Sequence, residues 1–286
     1  LKGALTRCVL AILKKRGALN GSNLSGKFCR VIGTFLPVSK IAEWNVRMAM
    51  PNFAAREQQK IVQGVWENLG RTVGELPHLA HLQENTPSGP GFEVLGAEYL
   101  QEQAQCGGPV LFCSGHIGNW EMLPPAVARY GVPFASFYRA AGNPIIDDMI
   151  RRLRDAAMAP TPMPLFAKGA RGAREALVYV AKGGRLGMLV DQKMNDGLEA
   201  TFFGLPAMTA PALAAMALKY QCPVIPGYVE RLGPARLRLV LQRPPTLPHT
   251  GDCQHDCAFL VHMNTDRHEC CIKKKPESCL SLHKRL

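Results

Sequence analysis

From Pro109 onward the chain alternates short apolar runs with longer amphipathic ones, and no other feature limits the possible folds as much. Apolar runs at 110–114, 133–138, 186–190, 224–229 and 237–241 read as strands. Between and around them, 120–130, 144–157, 173–182 and 211–220 read as helices. Strands that alternate with helices build an α/β fold, here with a mainly parallel central sheet flanked by helices. In such sheets ligands bind beyond the carboxyl ends of the strands. His116 and Asp191 each follow an apolar run directly, which puts both on that edge. Upstream, 41–79 has helical apolar spacing (Ile61, Val65, Leu69, Val73), broken at Pro51 and ended at Pro77. A Pro/Ser/Gly-rich loop at 84–91 and a helix-like stretch at 92–105 follow. With 286 residues the chain can bury a substantial core, and we expect one α/β unit at 41–286 preceded by a helical segment at 1–40.

The stretch VLFCSGHIGNWEMLPP, 110–125, carries the clearest chemistry. A strand runs into Gly115, His116 sits on the turn and Glu121 lies in the first turns of the next helix. A carboxylate at that position can accept a hydrogen bond from one imidazole nitrogen and raise the basicity of the other. Such a pair removes a proton from a hydroxyl as the oxygen attacks a carbonyl. The spacing fits equally a capping histidine beside a solvated glutamate. Two nucleophiles compete: Ser114, which lacks a G-x-S-x-G elbow, and Cys113, which strand alternation points into the sheet.

A formal charge of +12, from 34 basic and 22 acidic residues, draws polyanions to the surface. The basic residues form no recognition helix, zinc finger or basic-aromatic sheet pattern, so nucleic acid is not expected as a partner. Ten cysteines without a cleavable signal pattern read as reduced thiols, mostly apolar fillers. The Cys- and His-rich stretch 251–271 matches no usual zinc spacing, and no metal is expected. No run of eighteen or more apolar residues exists. The first fifty residues interleave apolar pieces with Lys and Arg, which suits a segment lying on an anionic membrane and equally one packed on the body.

CSGHIGNWEML, FYRAAGNP, LVDQKMNDGLEATFFGLPAMTAPALAAMALKYQCPVIP and the end IKKKPESCLSLHKRL occur in this order. With AEWNVRMAMPNF near the start, the chain resembles the bacterial lipid A biosynthesis acyltransferases of the lauroyl/myristoyl type, within the wider H-x4-D/E acyltransferases. The resemblance implies His116 as the catalytic histidine and Glu121 as its acidic partner. It implies direct transfer from an acyl carrier protein thioester to a hydroxyl of a phosphorylated glycolipid of the Kdo2-lipid IVA type, without cofactor or acyl-enzyme. Arg139, Arg171, Arg174, Asp191 and Gln192 match positions expected to hold the acceptor, with Asp191 and Gln192 alternatively supporting the dyad. Asn119 is expected to order the turn or cap the helix, and Phe203, Met208 and Met216 to wall the acyl chain. The resemblance also implies the cytoplasmic face of a bacterial inner membrane. The tail departs from the family: Cys279, Ser281 and Leu286 stand where tryptophans are usual, a change expected to weaken membrane seating and leave the dyad untouched. Transfer to a lysophospholipid or another glycolipid, and a non-catalytic membrane-associated binding protein, remain as alternatives.

Overall fold

The computed structural model describes residues 2–85, 88–279 and 282. Its main sheet has eight strands in the order β1 (Gln83–Glu84), β2 (Gly91–Leu95), β10 (Arg236–Leu241), β9 (Val224–Gly233), β3 (Leu111–Ser114), β6 (Leu186–Leu189), β4 (Ala135–Tyr138) and β5 (Leu165–Ala167). Every neighbouring pair is parallel except β9 and β10, which form an antiparallel hairpin. The sheet is therefore two parallel blocks of opposite direction joined by that hairpin. Its central strands are apolar on both faces, as a sheet covered on both sides requires. One face holds Phe112, Phe134, Leu100 and Leu239, the other Leu111, Leu186, Val224 and Ala217.

The helices follow their periodicity, with departures at 92–105 and at 120–122. The run read as helical from 41 to 79 divides at Pro51 into α2 (Ser39–Ala49) and α3 (Ala55–Glu75), and Pro77 falls inside a 3-10 turn, Leu76–His81. The stretch 92–105 is not one helix: its first residues are β2, and α4 (Ala97–Cys106) begins after Gly96. Gly96 has φ +82°, and a Cβ there would lie 2.4 Å from the Leu241 carbonyl, so this position admits only glycine. Helices α5 (Leu123–Ala128), α6 (Pro144–Met158), α7 (Ala170–Ala181) and α8 (Ala212–Tyr220) connect the later strands. Asn143 caps α6 by accepting from the Ile145 and Ile146 amides, with Pro144 in the first turn.

The N-terminal segment is α1 (Lys2–Ile32), two helices joined at a kink at Gly17. It packs along α3 through small residues; at Gly70 a Cβ would come within 2.4 Å of the Ser25 carbonyl. Its other side is exposed and apolar, with Leu24, Phe28, Val31 and Ile32, and Phe35 just beyond at 81% exposure. Among the described residues no helix is long and apolar enough to cross a membrane. The expected helix at 211–220 is α8, whose Leu213, Ala214, Met216 and Ala217 are buried in the core, and Met216 is a packing residue there.

Residues 251–271 acquire a physical account. Asp252 caps α9 (Cys253–Lys274) by accepting from the Gln254 and His255 amides. Leu260 and Val261 then bury against α8 and the sheet. Among the described residues no three His, Cys, Asp or Glu side chains converge as metal ligands.

Candidate active site

Strands β3 and β6 lie side by side and parallel, with Ser114 opposite Leu189. His116 and Asp191 each stand two residues beyond that pair, so equal offsets from one register place them face to face at the carboxyl edge. Asp191 is 2% exposed. Its Oδ2 accepts the His116 backbone N–H at 2.8 Å. The imidazole Nδ1 lies 2.9 Å from Oδ1 and 3.0 Å from Oδ2. A proton on Nδ1 is therefore donated to a buried carboxylate, which orients the ring and leaves proton transfer to Nε2. Burial pushes the Asp191 carboxyl upward, but the hydrogen bond and charge of His116, with a contribution from His268, outweigh it and hold the group well below the usual carboxylate range.

The carboxylate on Nδ1 is thus Asp191, where Glu121 was expected. Glu121 is gripped by Arg154 of α6, whose Nε donates to Oε2 at 2.8 Å and Nη2 to Oε1 at 2.6 Å. This two-pronged bond holds the guanidinium more firmly protonated than usual. The reason lies in the turn: after Gly118 (φ +59°) the chain enters a short 3-10 helix, Trp120–Met122, rather than an α-helix. Trp120 packs its ring edge-on to the imidazole at 5.0 Å.

The turn itself is clamped from three sides. A Cβ on Gly118 would lie 1.8 Å from the Val229 carbonyl, and one on Gly115 would strike the His268 ring at 2.1 Å. Asn68 of α3 donates to the carbonyls of Gly118 and Ser278. Gly118 N–H donates to the Ser278 carbonyl, and Ile117 forms a bridge with Cys279. The altered tail, expected to leave the dyad untouched, is stitched to its turn at Ser278 and Cys279; Ser281 and Leu286 lie outside the described residues. Asn119 caps no helix here but donates to Glu75, a carboxylate with 0% exposure. Glu75 also accepts from Ser22 Oγ at 2.6 Å and the Ala235 amide at 3.0 Å, and it is paired with Arg231.

The other expected residues divide by position. Arg139, directly after β4, is exposed at the same sheet edge. Arg171 and Arg174 are exposed on the first turns of α7, Arg171 at 93% side-chain exposure and paired with Glu175. Gln192 accepts from Lys168 Nζ at 2.8 Å. These four ring the edge, whereas Asp191 is inside it. Cys113 is buried in the core as alternation required, and Ser114 Oγ points to the Gly115 carbonyl at 3.4 Å. Arg154, Trp120, Asn68, Glu75 and His268 had no local signal in the sequence. Asp191 did in part: it and His116 each follow an apolar run, which put both on the same edge.

Comparison with curated protein sequences gives no match. A family model described as bacterial lipid A biosynthesis acyltransferase matches residues 5–286, nearly the whole chain. With the histidine–carboxylate pair seated where α/β sheets bind their ligands, the chain belongs to the bacterial lipid A biosynthesis acyltransferase family.

Proposed function

We propose that the chain moves a fatty acyl group from an acyl carrier protein thioester to a hydroxyl of a phosphorylated glycolipid precursor of the Kdo2-lipid IVA type. One observation carries this reading: a buried carboxylate holds both the backbone N–H and the Nδ1 of a histidine at the carboxyl edge of the sheet. In the reaction His116 Nε2 takes the proton of the acceptor hydroxyl while that oxygen forms a bond to the thioester carbonyl carbon. The imidazolium gains the Asp191 charge as it forms. The tetrahedral oxyanion then collapses, the C–S bond breaks, and the leaving thiolate takes the proton back from Nε2. No bond to the enzyme forms. Glu121 and Arg154 supply a second charged pair on the same turn, and Arg139, Arg171, Arg174 and Gln192 lie where acceptor phosphates or acidic sugars meet the sheet edge.

Membrane association at the inner face of a bacterial membrane is part of the proposal. It is supported by the exposed apolar side of α1 next to Lys27, and by a surface of net charge +12 suited to anionic lipid and an acidic carrier protein. The test gives purified protein a labelled acyl carrier protein with tetra-acylated glycolipid or lysophospholipid as acceptor, beside His116→Ala. We expect turnover on the glycolipid and a roughly 100- to 10,000-fold loss in the variant. Parent-like rates in the variant eliminate the mechanism, and transfer to lysophospholipid alone eliminates the acceptor.

A further inference from the structure

A cavity of about 400 Å³ opens between α1, α3, β9 and the 3-10 turn Pro276–Ser278. Among the described residues its walls bear five cations and two carboxylates. Arg30 and Arg71 share the single carboxylate Glu67, at 2.7 and 2.6 Å. Arg231 is balanced by Glu75 beneath the floor. Lys60 and Lys275 remain, with Glu277 as the last acid, and among the described residues neither lysine forms an ion pair. Five cations less Glu67, Glu75 and Glu277 leaves a surplus of two positive charges. A phosphate monoester carries about −1.5 to −2 near neutrality, which matches that surplus. The volume lies within the range of ligand pockets, roughly 300–1,000 Å³, and exceeds what a bare anion needs, so the phosphate arrives attached to a larger group.

We propose that this cavity binds the phosphomonoester headgroup of a lipid. The wall between the charges includes Ile61 and Gly64, and the helix that supplies Arg30 exposes Phe28, Val31 and Ile32 on the side away from α3, so α1 resting on a lipid surface by that side brings the cavity beside the headgroups. Asn68, on the cavity wall, is bonded to the Gly118 carbonyl in the turn that carries His116, so occupancy bears directly on that turn. Binding requires no turnover and is measurable whatever reaction the enzyme performs.

The test is co-sedimentation of the full chain with phosphatidylcholine vesicles doped with phosphatidic acid, a monoester, or with phosphatidylglycerol, a diester, at matched surface charge. Lys60→Glu/Lys275→Gln is compared with Lys182→Glu/Lys219→Gln, which makes the same charge change on exposed residues just after α7 and in α8. We expect the parent to bind the monoester vesicles roughly tenfold more tightly, the cavity variant to lose that preference, and the control variant to keep it. Glycerol 3-phosphate should compete and inorganic phosphate only weakly. Equal binding to both vesicle types, or equal loss in both variants, overturns the proposal. So does full competition by inorganic phosphate, which identifies the cavity as a site for the free ion. A preference transferred entirely to acyl carrier protein, with vesicles ignored, assigns the cavity to the donor's phosphate and also overturns it. Among the described residues the lysines chosen have no carboxylate partner, and unchanged circular dichroism verifies folding.

Discussion

Replacing Asp191 with Asn removes one acceptor from a packed site. The carboxylate serves two donors of His116, the backbone N–H at 2.8 Å and Nδ1 at 2.9 Å. The amide has one oxygen. If it stays with the backbone, the NH₂ group faces Nδ1, which must then accept, and the ring proton moves to Nε2. That is the nitrogen that has to receive the substrate proton. A charge-assisted hydrogen bond lost costs about 1.5–3 kcal/mol, roughly a 10- to 150-fold change in rate. The displaced tautomer removes the base as well, and the total approaches the roughly 100- to 10,000-fold worth of general-base assistance. The loss belongs to kcat more than to KM, because the imidazolium exists only along the reaction path. Single-turnover transfer from labelled acyl carrier protein measures it, with near-ultraviolet circular dichroism reporting the fold. A folded Asp191→Asn enzyme within about fivefold of the parent, alongside a Glu121→Gln enzyme that has collapsed, refutes the reasoning and returns the imidazole to Glu121.

Three further outcomes are expected. Gly118→Ala places a Cβ 1.8 Å from the Val229 carbonyl at φ +59°. It should lower unfolding stability by more than about 2 kcal/mol, and an unchanged urea midpoint contradicts the packing. Glu75→Gln leaves Arg231 buried without its counter-charge, at a cost of about 3–5 kcal/mol. Thermal unfolding reads it, and a shift no larger than that of an exposed Glu98→Gln control would show the pair to be unimportant. Because the folded Asp191 carboxyl is depressed, the unfolded chain binds its proton first as pH falls. Stability should therefore be fully present above pH values of about 4 and drop below them, and Asp191→Asn should flatten that part of the acid-unfolding curve.

The parts of the fold that could be read in the sequence were those where burial leaves a pattern. The apolar runs at 110–114 and 186–190 appear as β3 and β6 because a strand covered on both faces must be apolar throughout. The hairpin β7 (Lys193–Phe202) and β8 (Leu205–Thr209) had no such signal. It pairs only with itself, its first strand is largely exposed, and its turn uses Phe203 and Gly204 at positive φ rather than Asn-Gly. β2 was hidden because its five residues run straight into α4 through one left-handed glycine. In the site, the motif led to His116, but the acid that meets its Nδ1 is not the one five residues along. Five residues along the chain suggested Glu121, whereas the sheet register delivered Asp191 from 75 positions away. Long-range partners such as Arg154 and Asn68 leave no trace in local spacing, since only the folded topology brings them to the turn.

The amide of Asn68 finds the carbonyl of Ser278, 210 positions later, and through it the loop that presents the histidine. On a ribosome adding about 5–20 residues per second, roughly 10–40 seconds separate the appearance of the two halves of that contact. Newly made protein should therefore hold a loosely shaped loop through most of its synthesis and gain competence late, in a step limited by closing a very long ring of chain.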